Sequence, residues 1–90
     1  MRQTDTETLG QAVARVRKNN GLTQTALASS LASIVGFTQG RLSRLERGRW
    51  VPGAGQFEHL IAALKCTEEQ ARTLRDAASK EAERRANVAG

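Results

Sequence analysis

Phe37-Thr38-Gln39-Gly40-Arg41-Leu42-Ser43-Arg44-Leu45-Glu46-Arg47-Gly48 is the stretch on which the reading of this chain turns. Thr38 has the chemistry of a helix N-cap, since its hydroxyl can accept from an orphan backbone N–H of the first turn. Phe37 before the cap and Leu42 at the fourth helical position have the spacing of a hydrophobic staple. Gly48 suits the left-handed residue that ends many helices. The stretch predicts a helix from Gln39 to Arg47. The same grammar occurs earlier: Thr23 caps, Leu22 and Leu27 staple, and Leu27, Ala28, Leu31, Ile34 and Val35 trace one apolar stripe. That predicts a helix from Gln24 to about Val35.

The later of the two helices has two unlike sides. A helix turns about 100° per residue, so with Leu42 at 0° Leu45 falls at about 300° and Glu46 at about 40°. Gly40, Arg44 and Arg47 fall between about 140° and 200°, with Ser43 at about 100°. The leucines face a core; Gln39, Gly40, Ser43, Arg44 and Arg47 face out or lie at the helix start. These side chains suit base edges: Gln pairs with adenine, Arg with guanine O6 and N7, and Ser bonds either way. Gly40 permits close approach of backbone to a ligand. A merely solvated face is the plain alternative for the helix taken alone.

Around this pair the pattern is helical throughout. Leu9, Ala12, Val13 and Val16 recur at helical spacing between about Thr8 and Asn19, with Asn20-Gly21 as the stop; Thr4, Thr6 and Thr8 are each possible caps. Phe57, Leu60, Ile61 and Leu64 mark a fourth helix, about Gln56 to Lys65, after a loop Pro52-Gly53-Ala54-Gly55. Thr67-Glu68-Glu69-Gln70 is a capping box, and Ala71, Leu74, Ala77 and Ala78 give the fifth helix a thin apolar face. The expectation is an all-α fold of five helices over residues 8–78, with a polar arm at 1–7. The polar stretch 79–90 is either a tail or an extension of the last helix.

Ninety residues suit one small domain. The formal charge of +5 favours a polyanionic partner, and Arg41, Arg44, Arg47 and Arg49 cluster with one acid among them, Glu46. Cys66 and His59 are the only residues of their kind, so neither an internal disulfide nor a tetrahedral zinc site made of His and Cys can form. No catalytic set or phosphate loop emerges. No segment is long and apolar enough to span a bilayer, and the polar N-terminus shows no secretory signal. Trp50 reads as packing over the core edge or lying against a sugar-phosphate strand, His59 as surface, and Cys66 as a small partly buried apolar residue.

Gly21-Leu22-Thr23-Gln24-x-x-Leu27-Ala28, then Gly36-Phe37-Thr38-Gln39-x-x-Leu42-Ser43-Arg44-Leu45-Glu46-Arg47-Gly48, then Pro52, resembles the lambda repressor/Cro-like (XRE) helix-turn-helix family over about residues 9–78. The resemblance implies a compact five-helix domain whose second and third helices form the helix-turn-helix. It implies base contacts from Gln39 and Arg44, with Gly40 and Ser43 at the same surface. Phosphate contacts are expected at Gln24, Thr38, Arg41, Arg47 and Arg49, and a structural ion pair between Arg17 and Glu46. One departure stands out. The interval from Gln24 to Gln39 is about four residues longer than the family usual. An extra turn on the second helix, about 400° of rotation, would keep the stripe aimed at the core; a longer loop is the alternative.

The resemblance implies a sequence-specific regulator of transcription, expected to be a repressor, that binds double-stranded DNA as a homodimer on a two-fold operator. It implies no catalysis, no cofactor, no metal, no membrane and no small-molecule ligand, in the cytoplasm at the nucleoid of a bacterium or phage host. A second reading is a protein-interaction module of the same fold, such as an antitoxin or adaptor. Apolar residues on the outer faces of the fourth and fifth helices would favour it.

Overall fold

Threonine hydroxyls set where four of the five helices begin. The computed structural model describes residues 7–33 and 37–89. They form α1 (Leu9–Asn19), α2 (Gln24–Ser30), α3 (Gln39–Glu46), α4 (Ala54–Leu64) and α5 (Glu68–Ala89), with no strand among the described residues. Of the three candidate caps for α1, Thr8 is the one used: its Oγ1 accepts from the Gln11 backbone N–H at 3.1 Å, and the Gln11 side chain accepts from the Thr8 N–H at 3.0 Å. Thr67 and Gln70 repeat this reciprocal box at α5. Thr23 and Thr38 cap α2 and α3 by accepting from Ala26 and Arg41. Such caps satisfy donors that a helix start otherwise leaves orphaned.

Glycine sets two of the helix ends. Gly21 and Gly48 have φ of +75° and +79°, the left-handed region that a Cβ disfavours. After α1 the Gly21 N–H donates to the Lys18 carbonyl and the Leu22 N–H to the Arg17 carbonyl. After α3 the Gly48 and Arg49 N–H groups donate to Leu45 and Arg44. Both are Schellman ends, and they fix the direction in which the chain leaves each helix.

Three boundaries differ from the sequence expectations. α2 ends at Ser30 rather than near Val35: Leu31, its C-cap, has φ −102° and ψ 9°. The Ser30 hydroxyl bonds back to the Ala26 carbonyl, a local bond that competes with helix continuation. α2 therefore gains no extra turn beyond Ser30, and residues 31–33 are turn. Ile34 and Val35 of the expected stripe, and Gly36, fall outside the described residues, as does the arm assigned to 1–7 apart from Glu7. α4 starts at Ala54, so Ala54 and Gly55 belong to its first turn and not to a loop; the Gly53 N–H donates to Gln56 Oε1. α3 ends at Glu46, with Arg47 as its C-cap.

The apolar stripes converge on one core. Leu9, Val13, Val16, Leu27, Leu31, Phe37, Leu42, Leu45, Leu60, Leu64 and Leu74 are all buried in it. α1 packs against α5 and α3, α3 against α2, and α2 against α4. The α1–α3 contact is unusually close. A Cβ on Gly10 would collide with the Leu45 carbonyl oxygen, so only glycine permits this approach. Asn20 closes the far end by donating its side-chain amide to the Leu64 carbonyl at 2.9 Å. On the surface Glu58 and Arg75 join α4 to α5 at 2.8 Å, and the Arg75 guanidinium holds the Glu58 carboxyl below its ordinary value.

Candidate nucleic-acid interface

The orientation of α3 follows from two leucines. Leu42 and Leu45 are buried, and the turn geometry of a helix then carries the residues between and beyond them outward. Gln39, Gly40, Arg41, Arg44 and Arg47 are exposed, Ser43 is half-buried at the margin, and Arg49 is exposed just past the helix end. Among the described residues, the ion pairs involve Arg15, Arg17, Arg75 and Lys80. The four arginines of residues 41–49 are in none of them. A run of exposed cations without partner acids is a surface on which a polyanion meets no competing carboxylate.

The acid within that run is turned inward. Arg17 Nε donates to Glu46 Oε2 at 2.7 Å and its Nη2 to Oε1 at 3.1 Å. Both side chains are about nine-tenths buried, at 10% and 9% exposure. The fork geometry of guanidinium and carboxylate makes this a strong type of charge-assisted contact. Arg17 also donates Nη1 to the Leu22 carbonyl at 2.8 Å. Leu22 in turn donates its N–H to the Arg17 carbonyl, so the Schellman end of α1 and the ion pair brace each other. Glu46 is completed by Gln24, whose Nε2 donates to Oε1 at 2.8 Å. One carboxylate thus ties α1, the start of α2 and the end of α3 together, and its charge is neutralised before it reaches the surface.

Gln24, of the expected phosphate set, is therefore engaged within the protein through one amide hydrogen. Thr38 accepts from the Arg41 N–H at its hydroxyl oxygen, which leaves the hydroxyl proton to donate. Arg41 lies over the Trp50 ring, its Cζ 5.6 Å from the centroid. Trp50 is half-buried and meets Phe37 edge-on, with centroids 5.4 Å apart and planes at 86°. Beside α3 runs a cleft of about 700 Å³, lined by Arg15, Lys18, Gln24, Ser43, Glu46 and Arg47 among others. Arg15 and Lys18 were not singled out in the sequence; their place on the outer face of α1 gives no signal until α1 is docked on α3.

Among the described residues no group of three or more His, Cys, Asp or Glu side chains could hold a metal ion, and no helix is long and apolar enough to cross a membrane. Cys66 is half-buried, and burial pushes its thiol up from the ordinary value. His59 is exposed on α4.

The model of the helix-turn-helix domain matches residues 8–74, from the cap of α1 to the last fully buried leucine of α5. The chain belongs to the helix-turn-helix domain family. Neither the curated proteins nor the solved structures gave a match. The helix-turn-helix match spans α2 and α3 as well as the helices that pack them, so the exposed face described above lies wholly inside the family's domain. A DNA-binding regulator is what membership of this family suggests.

Proposed function

We propose that this helix-turn-helix protein is a sequence-specific regulator of transcription, acting as a repressor, that inserts α3 into the major groove of double-stranded DNA. The observation that carries the reading is the exposed, acid-free face of α3, held outward by buried Leu42 and Leu45. Arg44 reads guanine through two donors and Gln39 reads adenine, while Gly40 and Ser43 let the helix backbone come close to base edges. Arg41, Arg47, Arg49 and the Thr38 hydroxyl hold phosphates, and Gln24 reaches one through its second amide hydrogen. Phosphate contacts of this kind set affinity and register, and base contacts set sequence choice.

One such helix reads few base pairs. A homodimer on a two-fold site, with half-sites about 34–36 Å apart, gives the specificity a regulator needs. Selection of bound sequences from a random duplex pool tests the reading. Enrichment of a two-fold motif supports it; an unenriched pool, bound with salt dependence alone, would reduce the protein to a non-specific binder.

The second reading, a module whose main partner is a protein, gains little from the surface. The exposed residues of α4 include Glu58 and His59, and those of α5 include Glu68, Glu69, Arg72, Arg75 and Asp76. These are groups for a solvated face, although a small apolar groove between α4 and α5 is lined by Val51, Pro52, Phe57, Ala78 and Ala82.

A further inference from the structure

Trp50 has a role that the sequence left open. It is the only tryptophan, it lies outside the base-facing set, and its ring carries the guanidinium of Arg41 at 5.6 Å. A cation within about 6 Å of an indole face is held by the ring quadrupole. The ring is itself in edge-on contact with Phe37, with centroids 5.4 Å apart, and Phe37 is buried in the core. The guanidinium therefore rests on a support anchored in the fold.

Two features tie that support to DNA. On the helical wheel, Arg41 lies about 60–120° from Gly40, Arg44 and Arg47. A helix lying in a groove about 12 Å wide has base edges in front of it and a sugar-phosphate strand on each flank, and Arg41 is on one of those flanks. Ser43, with the cleft lined by Lys18, Gln24 and Arg47, is on the other. The second feature is chemical. A guanidinium held over a ring by its charge keeps N–H donors for a planar or tetrahedral oxyanion. A carboxylate partner would have consumed those donors, and among the described residues Arg41 has none.

We propose that Trp50 is a positioning residue: braced by its contact with Phe37, its indole face holds Arg41 at the flank of α3 in the pose that takes a backbone phosphate of the DNA strand bordering the groove. This rests on the reading of α3 as a major-groove helix. Fixing one flexible side chain ahead of binding is worth roughly two- to tenfold in affinity. Trp50 thus contributes to binding only through Arg41.

A double-mutant cycle on duplex affinity tests this. Trp50→Leu is expected to weaken binding roughly two- to tenfold, equally on the selected and on an unrelated duplex. Arg41→Ala weakens both duplexes too and lowers the slope of log K against log salt by about 0.9. In the Arg41→Ala background, Trp50→Leu should cost nothing further. Trp50→Phe, which keeps a ring at the core edge, should retain most of the affinity and give the same non-additivity at smaller size, so it serves the cycle if the leucine variant does not fold. Equal losses from the Trp50 substitution with and without Arg41 overturn the positioning role while leaving the DNA reading intact. Failure of the unsubstituted protein to bind any duplex overturns the DNA reading and the proposal with it.

Discussion

Glu46 sits where three segments of the chain meet, and its loss strands more than one partner. Removing it leaves the Arg17 guanidinium buried without a counter-charge and the Gln24 amide without an acceptor. Breaking a buried pair from one side costs on the order of 3 kcal/mol or more. Glu46→Ala is accordingly expected to lower the melting temperature by more than about 10 °C for a domain of this size; thermal unfolding followed by circular dichroism checks it. The Arg17–Glu46 partnership was legible from the resemblance, because Glu46 falls toward the core side of α3. The third partner was not, since Gln24 offers nothing in sequence to separate a phosphate contact from an internal amide donor. Gly10 was not legible either. A glycine inside a helical pattern signals a packing reason, yet which neighbour demands it depends on how α1 lies on α3. In open helix Ala would be better than Gly by roughly 0.5–1 kcal/mol. Here its Cβ meets the Leu45 carbonyl, and Gly10→Ala should destabilise by about 1–3 kcal/mol, the usual cost of overpacking. Denaturant midpoints read the sign directly. Gly40 is the contrasting case. A Cβ there lies 3.7 Å from the Thr38 Oγ1, an ordinary contact, so Gly40→Ala should hold or raise stability while weakening duplex binding by obstructing the helix backbone. Parallel melts and binding titrations check for that split, and a loss of stability would remove the functional explanation of this glycine.

At the scale of elements, the threonine-capped helix starts were written in the sequence, the start of α4 was not, and helix ends were legible only in part. Thr23, Thr38 and Thr67 cap as their spacing required, because N-cap chemistry is local: one hydroxyl, one N–H three residues on. Gly21 and Gly48 likewise mark their ends through backbone conformation alone. The end of α2 is different. Leu27, Ala28 and Leu31 fit a longer stripe equally well, and periodicity cannot register that Leu31 leaves the helical region or that Ser30 bonds back to Ala26. For α5 the pattern left a tail and a helix extension open, and the helix persists to Ala89 although large apolar residues fade after Leu74. Its Glu81, Ala82 and Glu83 include no fully buried side chain.

At the scale of the molecule, the charge of +5 is not spread evenly. The acid within the α3 arginine run is folded inward onto Arg17, and the exposed arginines of residues 41–49 form no ion pair among the described residues. The core fixes which side of α3 this is, and the family's domain spans all of it. The central claim is that Arg44 reads a base and Arg47 holds a phosphate. The most direct measurement is the affinity of Arg44→Ala and Arg47→Ala for the selected duplex and for an unrelated one, at two salt concentrations. Arg44→Ala should weaken the selected duplex alone, by about 1–3 kcal/mol, and relax one base position. Arg47→Ala should weaken both duplexes alike and reduce the salt slope by about 0.9. Equal losses from both substitutions on both duplexes would contradict the assignment of reader and anchor, and with it the account of α3 as the element that selects sequence.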